Sequence, residues 1–259
     1  MGAEQRLDAA MVERGLAPSR ERAQLLIKGG AVMVNGVQAL RPAQRVRPDA
    51  TIVVTHEVLP YVSRGGLKLE AALRHFRVNV AGARCLDVGA STGGFTDCLL
   101  QRGAASVVAV DVGHGQMHPS LRQDPRVDVR EGINARDLSR EGFDRPFDVV
   151  TVDVSYISST LILPAVAALI RPGGFLIVLI KPEFEAGREA VGDGGVVRHE
   201  ADRRRARERV SACALSLGLT KIGIIPSPVR TGKNREYLGC FRKPKEVSEP
   251  CSPSSAPSG

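Results

Sequence analysis

From Arg84 onward the chain alternates short, almost wholly apolar segments with stretches of helical period, and this alternation restricts its fold more than any other feature. The apolar segments are Cys85 to Val88, Ser106 to Val112, Phe147 to Val154, Phe175 to Ile180, Lys221 to Ile225 and Tyr237 to Phe241. Helical spacing falls between them at Phe95 to Arg102, Ser158 to Ile170 and Glu200 to Leu217. Strands that are apolar on both sides and joined by helices belong to a mostly parallel sheet covered on both faces. The expectation is an α/β domain of Rossmann-like type, with its ligand crevice at the carboxyl ends of the strands. Leu161 to Ile180 is apolar enough to suggest a membrane span. Pro164 and the run Arg171-Pro172-Gly173-Gly174 interrupt it, so a buried helix followed by a buried strand is expected instead.

Ahead of this domain the pattern is different. Apolar residues recur at helical spacing from Arg6 to Gly15 and from Ser19 to Gly29, with Ser19 as an N-cap and Gly29-Gly30 as a stop. Val32-Met33-Val34 then meets Asn35-Gly36, a strong hairpin signal, before Val37 and a later strand from Thr51 to Thr55. Helix, helix and hairpin predict a small α+β module over residues 1–60, followed by the large domain over 61–243. The Pro- and Ser-rich end, 244–259, is expected to be a disordered tail.

Charge is concentrated in the small module. Between Arg14 and Arg47 the cations Arg14, Arg20, Arg22, Lys28, Arg41, Arg45 and Arg47 are opposed only by Glu21. The whole chain carries 36 Lys and Arg against 28 Asp and Glu, a balance that suggests a negatively charged partner such as nucleic acid and reads equally as a basic solvated surface. Five cysteines without a C-x-x-C pair read as free thiols of a reducing cytosol, and Met1 to Asp8 lacks a secretory signal pattern. A cytoplasmic protein is the expectation. His114 and His118 stand four apart without a third ligand, so no metal is expected.

The loop Asp87-Val88-Gly89-Ala90-Ser91-Thr92-Gly93-Gly94, leading into Phe95, sits where the first strand of the large domain meets a helix. It is neither G-x-G-x-x-G nor a P-loop, and so suits a ligand without a pyrophosphate. Asp111, followed by Val112 at the end of the next strand, is placed to accept hydrogen bonds from both hydroxyls of an adenosine ribose. Asn134, after a third strand, is placed to reach an adenine edge.

Asp153 and Lys181 end two of the apolar strands. A lysine directly after such a strand is costly to bury as a cation, so it must pair with a carboxylate such as Asp153 or give up its proton. Taken alone, such a lysine is as often a structural ion pair as a catalytic group. Glu236, in Asn234-Arg235-Glu236-Tyr237-Leu238, and Lys68, in Ser63-Arg64-Gly65-Gly66-Leu67-Lys68, are two further charged residues beside apolar segments. The five arginines Arg203, Arg204, Arg205, Arg207 and Arg209 crowd one helix and read either as a solvated face or as an RNA contact.

These segments carry a resemblance. SRERAQLLIKGGAVMVNG resembles the RNA-binding fold of small-subunit ribosomal protein S-four. Lys68, Asp153, Lys181 and Glu236 match, in order and context, the Lys-Asp-Lys-Glu tetrad of FtsJ-type ribose methyltransferases. Together with SRGGLKLEAAL, LDVGASTGGFTD, KPEFEAGREAVGDGGVVR and the late EYL, the chain resembles the TlyA-type rRNA methyltransferases over nearly its whole length, a family also labelled haemolysin. One departure is Glu183 after Lys181-Pro182, where members often carry Gln.

The resemblance implies an S-adenosylmethionine-dependent enzyme that methylates a ribose 2′-hydroxyl, of cytidine, in small- or large-subunit rRNA or both, within ribosomal subunits. It implies that Lys181 orients or deprotonates the hydroxyl, that Asp153 and Glu236 tune it, and that Lys68 supports the ribose or its phosphate. Cofactor contacts are then expected from Asp87, Gly89 to Phe95, Asp111, Val112 and Asn134, and RNA contacts from Arg14, Arg20, Arg22, Lys28, Arg41 and Arg64. Two rivals remain at this stage: a non-catalytic RNA-binding assembly factor, and a membrane-active haemolysin. No uninterrupted span and no amphipathic membrane pattern favours the latter. The sequence fixes no oligomeric state.

Overall fold

The computed structural model describes residues 4–55, 59–229 and 233–245. It divides into two compact units between Pro60 and Tyr61. Of the expected tail, residues 246–259 lie outside the described residues.

In the first unit β1 (Gln5–Arg6) leads into α1 (Leu7–Glu13), then α2 (Arg20–Lys28), β2 (Val32–Val34), β3 (Val37–Gln38), β4 (Arg45–Val46) and β5 (Ile52–Val54). The Ser19 hydroxyl caps α2 by accepting from the Arg22 N–H at 3.3 Å. Asn35 and Gly36 both take positive φ, 49° and 79°, the requirement of the tight turn that joins β2 to β3. β3, β2 and β5 form an antiparallel sheet, and β1 pairs with β4. Leu7, Met11, Leu26, Ile27, Val32 and Val34 close a core of their own. The pairing of β1 with β4 had no signal in the sequence, because two-residue strands carry no period.

The second unit runs α3 (Gly65–His75), β6 (Arg84–Val88), α4 (Gly94–Gln101), β7 (Ser106–Val110), α5 (Pro119–Arg122), β8 (Val127–Arg130), β9 (Phe147–Val152), α6 (Leu163–Leu169), β10 (Ile170–Ile180), α7 (Pro182–Glu185), α8 (Glu200–Ser216), β11 (Thr220–Pro226) and β12 (Tyr237–Arg242). Seven strands form one sheet in the order β11-β12-β10-β9-β6-β7-β8. The strands from β10 to β8 are parallel, and β12 is antiparallel to both neighbours.

Successive residues of the central strands feed opposite cores. Cys85, Val107, Val149 and Ile177 pack with Leu69, Leu73, Phe95 and Leu99 of α3 and α4. Leu86, Val108, Val150 and Leu176 pack with Leu163 and Val166 of α6 and Val210 and Ala214 of α8. Both faces are buried, which is why these strands are apolar at every position rather than every second one. Pro172-Gly173-Gly174 does not separate helix from strand by a loop as expected; β10 begins at Ile170 and absorbs the Pro-Gly-Gly run as a register shift before Phe175. Among the described residues no helix is long and apolar enough to cross a membrane.

Candidate active site

The strand order reverses beside β6: β7 and β8 lie on one side of it, and β9 and β10 on the other. At such a switch point the loops leaving neighbouring strands part and leave a crevice. The loop after β6 must also pass close to the tip of β9. Asp153 N–H donates to the Val88 carbonyl at 2.9 Å, and a Cβ on Gly89 would lie 2.3 Å from the Asp153 carbonyl oxygen. Only glycine, here at φ 83°, fits.

A cleft of about 470 Å³ opens between the loops after β6, β7, β8 and β9. Gly89, Ser91, Asp111, Val112 and Asn134 line it, with Ile133, Ile157 and Ile162 as apolar wall. The Asp111 carboxylate accepts from the Ser91 N–H at 2.8 Å and the Gly113 N–H at 2.7 Å, so it ties two loops together while keeping lone pairs for further donors. The Asn134 side-chain oxygen accepts from the Arg136 N–H at 3.1 Å and shapes the turn after β8.

A second cleft, of about 340 Å³, shares Gly89, Ser91, Asp153 and Ser155 with the first. It adds Arg64, Lys68, Ala90, Thr92, Gly94, Phe95 and Lys181. Asp87 and Gly93 line neither cleft. Asp87 is fully buried beneath the loop, where Thr96 and Thr151 hydroxyls donate to its two oxygens at 2.7 and 2.8 Å. Burial pushes its carboxyl up to about 6, against the lowering effect of those hydrogen bonds. It is part of the loop's support and stands behind the residues that face the cleft.

Three of the four tetrad residues line the second cleft, and the fourth is joined to it. Lys181, directly after β10, places its ammonium 2.6 Å from an Asp153 carboxylate oxygen and donates to the Ser155 hydroxyl at 2.7 Å. Lys68, on α3, is buried and lies 2.5 Å from Glu236, which precedes β12 and is also buried. The buried Lys68 and the partly buried Lys181 are each paired with a carboxylate, as the cost of an unpaired cation away from water demands.

Sequence reasoning missed Ser155. The parallel register of β9 and β10 pairs Val152 with Val178, so three residues further on Ser155 comes level with Lys181. It missed Glu185 as well. This buried carboxylate at the end of α7 accepts from the Ser158 hydroxyl at 2.6 Å and from the Ser159 N–H and hydroxyl at 2.7 Å each. The segments following Lys181 and Asp153 are thereby bound to each other. Periodicity carried no sign of either contact, since both join residues more than twenty positions apart.

The arginines behave unevenly. Arg14 donates to the carbonyls of Ala50, Arg47 and Pro48 at 2.6, 3.2 and 3.0 Å, and Arg20 pairs with the buried Asp8 at 3.3 Å. Lys28, Arg41 and Arg64 are exposed, and Arg22 is half-buried. On α8, Arg203 donates to Glu200 and to two backbone carbonyls, Arg205 pairs with Asp202, and Arg209 donates to the Glu185 carbonyl.

Residues 61–243 match the model of the FtsJ-like methyltransferase family, and residues 5–52 match that of the S4 domain. The chain is 47% identical over 225 residues, 86% of its length and 84% of the relative's, to the 16S/23S rRNA (cytidine-2′-O)-methyltransferase TlyA of Mycobacterium tuberculosis. It is 41% identical to Hemolysin A of Brachyspira hyodysenteriae, over 91% of this chain and 99% of that one. A solved structure from Streptococcus thermophilus, described as a candidate hemolysin, superposes with a TM-score of 0.71 at 39% identity, covering 94% of this chain and 91% of the other. With Lys68, Asp153 and Lys181 lining one cleft, Glu236 paired to Lys68, and these matches spanning both units, the chain belongs to the FtsJ-like methyltransferases of TlyA type, with an S4 domain ahead of the methyltransferase domain.

Proposed function

We propose that the protein methylates the ribose 2′-hydroxyl of a cytidine in ribosomal RNA, using S-adenosylmethionine, within ribosomal subunits. The observation that carries this reading is the Lys181 ammonium held between Asp153 and Ser155 in a cleft continuous with the one behind Asp111. The residues of the first cleft suit the cofactor. Asp111 offers acceptors to ribose hydroxyls, and Val112, Ile133 and Ile157 offer apolar surface to a flat base. When bound, S-adenosylmethionine supplies a methyl group on a sulfonium, an electrophile that needs no further activation.

What is left to the chain is alignment and the removal of one proton. Lys181 is placed to hold the 2′-oxygen of a ribose in the second cleft. Asp153, at 2.6 Å, holds the ammonium in place and can draw off its proton, leaving an amine that accepts the hydroxyl proton. The Lys68–Glu236 pair completes the wall and presents a fixed cation to the sugar or its phosphate. Arg64, with the exposed Lys28 and Arg41 of the S4 domain, would contact RNA phosphates.

The test uses ribosomal subunits from a strain lacking the protein, incubated with the purified chain and S-adenosylmethionine. Mass spectrometry of the rRNA should locate one or more new ribose methyl groups on cytidine. Binding of subunits with no methyl transfer would leave a non-catalytic assembly factor and overturn the proposal.

A further inference from the structure

Resting on the reading of rRNA as substrate, we propose that the groove between α8 and β11 is a binding subsite for one backbone phosphate of that RNA. The groove encloses about 230 Å³ and is lined by Arg204, Arg207, Glu208, Lys221, Ile224, Pro226 and Tyr237. It is separate from the two clefts at the strand tips, with which it shares no residue.

Three cations face it against one carboxylate. Glu208 answers only weakly, since it lies 3.7 Å from Arg204 and both side chains are about two-thirds exposed. Among the described residues Lys221 has neither an ion pair nor a side-chain hydrogen bond, although it is the only cation on the sheet side of the groove. This sets the groove apart from the rest of α8, where Arg203, Arg205 and Arg209 are committed to carboxylates and carbonyls of the domain itself.

The floor gives the second observation. Tyr237 is 3% exposed, and among the described residues its buried hydroxyl has no hydrogen-bond partner. Buried hydroxyls nearly always have one, and Tyr237 is among the residues that line this groove. Its ring lies 4.4 Å beneath the Arg207 guanidinium, which is also held by Glu200 at 2.8 Å. That double restraint fixes the planar fork while leaving donors to spare, the arrangement suited to an oxyanion such as phosphate. Ile224 and Pro226 add the apolar surface that a sugar needs.

The groove also stands in a definite relation to the catalytic pair. Adjacent residues of a strand point to opposite faces. Glu236 turns to Lys68 on the α3 side, and Tyr237 turns to Arg207 on the α8 side. A phosphate held here is anchored at the residue that follows Glu236, at the start of β12.

The experiment measures the affinity of the full chain for unmethylated ribosomal subunits from about 50 to 300 mM salt, beside its affinity for S-adenosylmethionine. Each phosphate contact contributes nearly one to the slope of log affinity against log salt. Lys221→Ala and Arg204→Ala should each weaken subunit binding about threefold to tenfold and reduce that slope by about one, with cofactor affinity unchanged. Tyr237→Phe should weaken binding with no change in slope, because no charge is lost. An unchanged slope in both alanine variants, with a wild-type chain that methylates subunits, overturns the groove and leaves the activity standing. A wild-type chain that neither binds nor methylates subunits overturns both. Titration with inorganic phosphate and with a cytidine monophosphate separates the sources: if these bind tightly in a Lys221-dependent way while subunit binding ignores Lys221, the site serves a small phosphorylated ligand and the assignment to RNA fails.

Discussion

At the residue scale the site turns on Lys181, whose partners distinguish a chemical role from a structural one. An ammonium 2.6 Å from Asp153 and 2.7 Å from Ser155 is a point contact, which a planar guanidinium that never deprotonates does not reproduce. Lys181→Arg should therefore be nearly as inactive as Lys181→Ala, each losing about a hundredfold or more in single-turnover methyl transfer while still binding cofactor. Retention of more than about a tenth of the wild-type rate in the arginine variant would leave Lys181 as an ion-pair partner only. Asp87 makes a different kind of prediction. Its carboxyl is raised by burial from 3.8 to about 6, so the folded state binds the proton more tightly than the unfolded chain. The stability this contributes is complete below about pH 4 and is lost as pH rises through about 6, by about 3 kcal/mol at most. Comparing denaturation of the wild type with Asp87→Asn should show the difference between them changing over that window. A difference constant from pH 4 to 7 would refute the shift. Asp153, Lys181 and the glycine loop stood out in the sequence because they sit where apolar runs stop abruptly, whereas Lys68 and Glu236 were singled out by the family resemblance. Asp87 was read as a cofactor contact because sequence distinguishes a residue at the strand end from one facing the ligand only through the pleat, and a strand apolar on both faces hides the pleat.

At the scale of elements, β6, β7, β9, β10 and β12 were readable because burial on both faces leaves unbroken apolar runs. Asn35-Gly36 likewise announced its turn. α3 was not read as a helix, since Gly65-Gly66 opens it without a capping side chain and its stability comes from burying Leu69 and Leu73 against the sheet. β8 is only partly buried and carries Asp128 and Arg130, so it lacked an apolar run. In the S4 domain, Arg14 has a structural role beside the RNA contact expected of it. Its guanidinium closes the 47–50 turn from inside the unit, donating to three carbonyls. Arg14→Ala should destabilise that unit by about 1 to 3 kcal/mol, and Ser19→Ala by about 1 kcal/mol through loss of the α2 cap. Amide hydrogen exchange over residues 4–55 reads both. Arg41→Ala, at an exposed position, should weaken subunit binding and leave exchange unchanged. Equal protection in Arg14→Ala and wild type would refute the structural role of Arg14.

For the whole molecule, the two units divide the labour because they divide the physics. Each closes its own core: one around Leu7, Met11, Leu26 and Ile27, the other in two layers on either side of the seven-stranded sheet. Every residue lining the two clefts comes from position 63 onward. Removing residues 1–60 should thus leave S-adenosylmethionine affinity within about twofold, since the residues proposed to contact the cofactor, and their support, are untouched. If the exposed cations of the S4 domain contact RNA phosphates as proposed, subunit binding should collapse, because counterion release multiplies rather than adds in affinity. Losing about three such contacts costs on the order of a hundredfold in affinity at low salt and flattens the salt slope by about three. Residual methyl transfer at high enzyme concentration is expected, since Lys68, Asp153, Lys181 and Glu236 remain. Calorimetry with cofactor and binding to unmethylated subunits at several salt concentrations separate the cases. If the truncated chain binds subunits as tightly as the full chain and with the same slope, the methyltransferase domain alone is the anchor, and the basic excess of the first unit is a solvated surface.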